Sequence, residues 1–80
     1  MYHIYILKSS KNKKYYIGYT DNLERRLKEH NSGKSKFTRT DRPWSLFYHE
    51  ESDSERKAIL RERQIKSWKS RKMIEKLKFK

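Results

Sequence analysis

Eighty residues hold one core and one site rather than two domains, because a chain of this size buries only about 60% of the surface its unfolded form exposes. Lys and Arg outnumber Asp and Glu by 22 to 10, and the resulting charge of +12 attracts phosphate polyanions, which makes nucleic acid the leading partner class. The lack of cysteine excludes disulfides and thiolate zinc, and the three histidines are too dispersed for an imidazole cage, so any catalytic metal must sit on oxygen ligands.

No apolar run approaches the roughly 20 residues of a membrane span or the shorter stretch of a signal peptide, so a cytoplasmic protein with no membrane partner is expected. With 32% apolar and 40% charged residues, a folded core must draw heavily on the aromatics, which are six Tyr, three Phe and two Trp.

In chain order, Tyr2 to Leu7 and Tyr15 to Tyr19 are dense in Ile and Tyr and are separated by the polar stretch Ser9 to Lys13, which predicts an antiparallel hairpin. A turn centred near Ser10 and Lys11 sets Tyr5 opposite Tyr16 and Ile4 opposite Ile17, leaving one face aliphatic and giving the other a tyrosine pair. Asp21 and Glu24 have capping-box spacing for a helix from Asn22 to Asn31 that stops at Gly33. On that helix Leu23, Arg26, Leu27 and His30 share a stripe, so two polar side chains lie on the buried face.

From Lys34 to Pro43 the chain is polar and aperiodic, a basic surface loop carrying Lys34, Lys36, Arg39 and Arg42 around Phe37. Trp44 to Tyr48 reads as a third strand. Ser52-Asp53-Ser54-Glu55 supplies a second capping box for a long helix to about Trp68, and Ser70 restarts a last helix through Leu77. Ala58, Glu62, Ile65 and Lys69 fall on one line of the long helix, which puts a carboxylate between apolar residues. Such a Glu needs a partner.

Four blocks then stand in a definite order: His3-Ile4-Tyr5, Tyr16-Ile17-Gly18, Asn22 through Asn31, and Arg61-Glu62-Arg63-Gln64-Ile65-Lys66-Ser67-Trp68, with Gly33 to Thr38 and Pro43-Trp44 between. Over essentially the whole chain this pattern resembles the GIY-YIG nuclease superfamily, in its small single-domain bacterial branch related to the nuclease module of the excision-repair incision subunit. The resemblance implies one domain over residues 1–80, of α+β class, with a three-stranded antiparallel sheet flanked by helices. It implies a metal-dependent endonuclease that hydrolyses phosphodiester bonds in DNA, RNA not being excluded, with a DNA-repair context and a monomer or weak oligomer.

The family's catalytic residues map onto Tyr5, Tyr16, Arg26, His30 and Glu62, with Glu62 as ligand to Mg²⁺ or Mn²⁺. The independent reading of periodicity marks the same residues, two on a hairpin face and three on apolar stripes. Taken singly each has a plain structural role: sheet packing for the tyrosines, an ion pair for Glu62, a helix-end dipole contact for His30. Together they suit hydrolysis. Glu62 can anchor a hard cation, Arg26 can bind non-bridging phosphate oxygens, Tyr5 can serve as base once nearby cationic charge lowers its pKa, Tyr16 can orient water or phosphate and His30 can relay a proton. Lys34, Lys36, Arg39 and Arg42 from the loop, with Lys66 and Lys69 from the long helix, are the expected grip on the phosphate backbone.

Two departures from the family pattern stand out. His3 occupies the position of the name-giving Gly. No Asn occurs beyond Asn31, so a late Asn found in many relatives has no counterpart, and Ser67 or Ser70 is the candidate substitute. The missing Asn keeps open a rival function, a weakly active or inactive nucleic-acid-binding module. A small ribosome-associated or structural protein also fits the composition but leaves the clustered tyrosines unexplained.

Overall fold

The computed structural model describes residues 1–78, so Phe79 and Lys80 lie outside the described residues. Strand β1 (Tyr2–Ser9) is followed by β2 (Tyr15–Thr20), helix α1 (Leu23–Ser32), a short 3₁₀ turn (Arg39–Asp41), β3 (Trp44–Ser52), α2 (Glu55–Ser67) and α3 (Arg71–Lys78). The strands form an antiparallel sheet in the order β2-β1-β3, with β1 in the centre. This is the expected α+β arrangement of three strands flanked by helices.

Strict alternation along β1 sends Ile4 and Ile6 to one side and Tyr5 and Leu7 to the other, and all four are buried. Ile4 and Ile6 pack with Ala58, Ile65, Ile74 and Leu77, so α2 and α3 cover the aliphatic side. Tyr5 and Leu7 cluster with Trp44 and with Leu23 and Leu27 of α1, which covers the tyrosine side.

The hairpin register differs from the expected one by two residues. Tyr5 pairs with Gly18, Leu7 with Tyr16 and Ile6 with Ile17. The loop between the strands sets this shift: Ser9 Oγ accepts hydrogen bonds from the backbone N–H groups of Lys11 and Asn12, and Lys13 takes the left-handed conformation at φ 64°. The turn therefore sits further along the chain than Ser10 and Lys11. Because the shift is even, Tyr5 and Tyr16 still share a face.

Helix α1 starts one residue later than the capping box predicts. Thr20 Oγ1 accepts from the Asn22 N–H at 3.1 Å, and Asn22, extended at φ −145°, accepts the Arg25 N–H on its own side chain. Asn22 is thus the cap, while Asp21 pairs with the Arg25 guanidinium at 3.0 Å. At the other end Gly33 closes the helix at φ 87°, a conformation few residues other than Gly adopt. Strand β3 runs four residues beyond the predicted Tyr48, since the polar segment His49 to Ser52 pairs with Tyr2 to Tyr5 of β1. Ser54 caps α2, and the Ser70 hydroxyl accepts the Met73 N–H at the start of α3.

Candidate active site

The tyrosine side of the sheet brings together four of the five predicted catalytic residues. Tyr5 projects from central β1 across edge strand β2, directly over Gly18, where a Cβ would come within 2.6 Å of the phenol oxygen. Only a residue without a side chain lets the ring lie there. Tyr16 stacks beside it with ring centroids 6.4 Å apart, and the His30 ring approaches both, at 5.9 Å from Tyr5 and 4.8 Å from Tyr16.

A hydrogen-bonded chain runs through this cluster. The Tyr5 Oη lies 3.0 Å from His30 Nε2, and His30 Nδ1 lies 2.8 Å from Thr38 Oγ1. Burial, then the Arg26 charge, pushes the His30 imidazole down to about 4 against a smaller opposing effect of Glu29, so the ring is neutral near pH 7. Burial pushes the Tyr5 phenol up to about 12; a hydrogen bond from Arg26 opposes this, and the Tyr16 and Glu62 charges add to the rise. The expectation that cationic charge brings Tyr5 below its ordinary value is therefore not met by Arg26 alone, because loss of water outweighs it. Arg26 supplies the expected direction and burial supplies the larger effect.

These values assign the protons. With the phenol protonated and the imidazole neutral, the chain is satisfied when Tyr5 donates to His30 Nε2 and His30 donates from Nδ1 to Thr38. The sequence reading gave Thr38 no role. It is wholly buried, ties the basic loop to the imidazole and accepts the Trp44 indole N–H on its carbonyl at 2.8 Å. Its one sequence signal is its place at the end of the block Gly33 to Thr38.

A neutral His that must charge on unfolding makes stability depend on pH. Between about pH 4 and its ordinary value of about 6.5 the unfolded chain binds a proton at this position and the folded chain does not, so stability falls as pH falls through that window. The full loss is about 3 kcal/mol at one unit per 1.36 kcal/mol. Urea unfolding between pH 4.5 and 6.5 should show this slope in the native chain and a flatter one in His30→Gln. Equal slopes would assign the proton uptake elsewhere.

Arg26, half-buried on the same helix face, pairs with Glu29 at 3.0 Å, and its charge acts on the Tyr5 phenol. It borders a polar depression of about 450 Å³ between β2, the start of α1 and the start of α2, lined in part by Tyr19, Arg25, Glu29 and Glu55.

Glu62 comes from α2, on the other side of the sheet. Its charge adds, after burial and nearer charges, to the upward shifts of Tyr5 and Tyr19. Its side chain is only 15% exposed and its Oε1 holds the Lys66 ammonium at 2.6 Å. The preceding residue fixes the helix: Arg61 makes two hydrogen bonds to Glu50 of β3, at 2.9 and 2.8 Å, and packs on the Trp68 ring.

The expected phosphate grip divides in two. Lys34, Lys36 and Arg39 are exposed on the loop that Thr38 anchors to His30, and the Arg42 guanidinium rests against Gly33 at the end of α1. Lys66 is paired with Glu62, and Lys69 is exposed just after α2 at φ 48°. Neither serine proposed in place of the late Asn is free for the site. Ser67 Oγ donates to the Gln64 carbonyl at 2.6 Å, and Ser70 caps α3.

Comparison with known proteins bears on the family and the fold. The family model described as the GIY-YIG catalytic domain matches residues 1–77. A UPF0213 protein of Staphylococcus haemolyticus is 42% identical over 78 residues, covering 92% of this chain and 94% of the relative, and one of Bacillus pumilus is 42% identical over 72 residues, covering 89% and 72%. The solution NMR structure of a UPF0213 protein from Bacillus halodurans superposes with a TM-score of 0.59 at 35% identity, over 96% of this chain and 82% of that one. The chain belongs to the GIY-YIG catalytic-domain family.

Proposed function

We propose that this protein is a metal-dependent endonuclease that cuts DNA phosphodiesters by recognising backbone shape rather than sequence. The observation that carries the reading is the Thr38–His30–Tyr5 hydrogen-bond chain, with the Arg26 charge acting on its phenol end.

The residues fit a hard cation held by one protein carboxylate. Among the described residues no three His, Asp or Glu side chains converge on a cage. Glu62 is nevertheless a carboxylate already paired with a cation, since the Lys66 ammonium sits 2.6 Å from Oε1, and Lys66 is half-exposed and can swing into solvent. Mg²⁺ retains several waters and takes further ligands from substrate phosphate, so a single anchoring Glu suffices. When bound, such an ion would act as a Lewis acid on the phosphoryl oxygens and stabilise the leaving alkoxide.

The chain's own groups supply the rest. Arg26 binds non-bridging oxygens and offsets the negative charge that grows there during attack. Tyr5 Oη in its ionised form, its own proton released to solvent, takes a proton from the attacking water, while His30 holds the phenol oxygen in place and Thr38 keeps the imidazole oriented through Nδ1. Tyr16 packs against His30 and bounds the position of the water. Lys34, Lys36, Arg39 and Lys69 contact flanking phosphates, contacts that position a duplex without reading its sequence.

A panel of labelled branched, single-stranded and duplex DNA and matched RNA, incubated with Mg²⁺ or Mn²⁺ and with a chelator, tests this directly. Metal-dependent cleavage that varies with substrate shape more than with sequence is expected. A second reading, a binding module without turnover, is favoured by one observation: both serines offered for the missing Asn are committed to helix ends. Tight binding of every substrate with no cleavage under either metal would select it.

A further inference from the structure

Of the ten described aromatic residues, nine are buried or half-buried, and Phe37 alone is open to solvent, with 87% of its surface exposed. A solitary exposed apolar residue is ordinary on a protein surface. Phe37 differs in where it is and in how firmly it is held. Lys36 precedes it, and Lys34, Arg39 and Arg42 share its loop, so the ring stands among four cationic residues of one segment. Its loop is pinned at both shoulders.

Thr38, the next residue, is fully buried and bonded to His30 Nδ1, and both Thr38 N–H and Arg39 N–H donate to the Ser35 carbonyl, at 3.3 and 3.0 Å. The β1–β2 loop fastens the far side: Lys11 Nζ donates to the Thr40 carbonyl at 3.0 Å, Asn12 to the Asp41 carboxylate at 2.6 Å and Ser9 Oγ to the Asp41 carbonyl at 2.5 Å. A rigid loop thus displays one bare ring a single residue away from the hydrogen-bonded chain. Ordering costs that a floppy loop would charge to binding are already met.

We propose that Phe37 is a nucleobase platform, stacking on an unpaired base of the bound strand next to the scissile phosphate while Lys36 and Arg39 hold the flanking phosphates. The inference rests on the nuclease reading for the position of the cut, and it adds the substrate class: a strand with an exposed base face, such as a single strand, a flap or a junction arm, in preference to continuous duplex. Aromatic stacking tolerates any base, since every base has a π-face, so the platform selects for unpairing and not for sequence. A ring on a basic loop also suits this task because phosphate contacts and stacking act on the same nucleotide from two sides.

The test uses the full chain with single-stranded and flapped oligonucleotides carrying 2-aminopurine at successive positions around the mapped cut. Native protein should alter the emission at one or two adjacent positions. Phe37→Ala should abolish that change and weaken binding about tenfold, with an unchanged salt slope because no charge is lost, whereas Phe37→Trp restores both. The Lys36→Ala, Arg39→Ala double variant should do the reverse, flattening the slope of log affinity against log salt by roughly one to two while keeping the fluorescence response. Phe37→Ala with native emission, affinity and preference for unpaired substrates overturns the platform and leaves the nuclease reading standing. A Phe37-dependent emission change without cleavage overturns the nuclease reading and keeps the platform, and absence of any nucleic-acid binding overturns both.

Discussion

Glu62→Gln should abolish cleavage and leave nucleic-acid affinity equal or higher. The substitution keeps the shape of a side chain that is only 15% exposed, and the amide oxygen can still accept from Lys66, so α2 keeps its packing through Ala58 and Ile65. What disappears is the negative charge that anchors a cation, and losing several kcal/mol of Lewis-acid stabilisation lowers the rate by about 10³-fold or more. Removing an anion next to a phosphate site meanwhile reduces repulsion toward DNA, by the same electrostatics that give the chain its charge of +12. Gel-shift affinity measured beside single-turnover cleavage separates the two effects. Metal-dependent cleavage retained in this variant would remove Glu62 from the metal site and direct attention to Glu55 or Glu29 at the border of the polar depression.

The way Glu62 reaches the site explains what sequence reading can and cannot see. Its place on the Ala58–Ile65 stripe is periodic and legible, as is the shared face of Tyr5 and Tyr16, because parity in a strand survives a register shift of two. The register itself depends on Ser9 accepting two backbone N–H groups and on Lys13 going left-handed, choices made among several polar residues of equal turn propensity. The same limit applies to the cap of α1, where Thr20 decides between Asp21 and Asn22. The later half of β3 carries His49, Glu50, Glu51 and Ser52, which read as loop, and becomes strand only through the partner it finds on β1.

Thr38 and Glu62 show the larger gap. Each matters through a contact across the fold: Thr38 through an imidazole eight residues back on a helix, Glu62 through a charge felt from the opposite side of the sheet. Neither relation has a period. Gly18 is a third case, since its bare Cα leaves room for the Tyr5 phenol against the edge strand.

Tyr5→Phe should slow cleavage by about 10²-fold or more, the usual worth of a positioned general base, and should change how the rate depends on pH. In the resting site the phenol is pushed up to about 12, first by burial, so near neutral pH almost all of it is protonated. The reactive form is then scarce, and log kcat/KM in the native chain should climb by up to one unit per pH unit between about pH 6 and 9, since catalysis draws on a base whose pKa lies above that range. His30, held neutral with a pKa of about 4, keeps the same charge throughout, so it adds no second inflection in this window. Phenylalanine preserves the ring over Gly18 and its stacking with Tyr16 and gives up only the hydroxyl, which leaves His30 Nε2 without its partner. The variant should therefore fold, bind DNA with native affinity, and show a lower rate with a shallower pH slope. A near-native rate with the steep slope intact would transfer the base to Tyr16, which touches the same imidazole at a ring separation of 4.8 Å, and the matching Tyr16→Phe variant would then carry the loss.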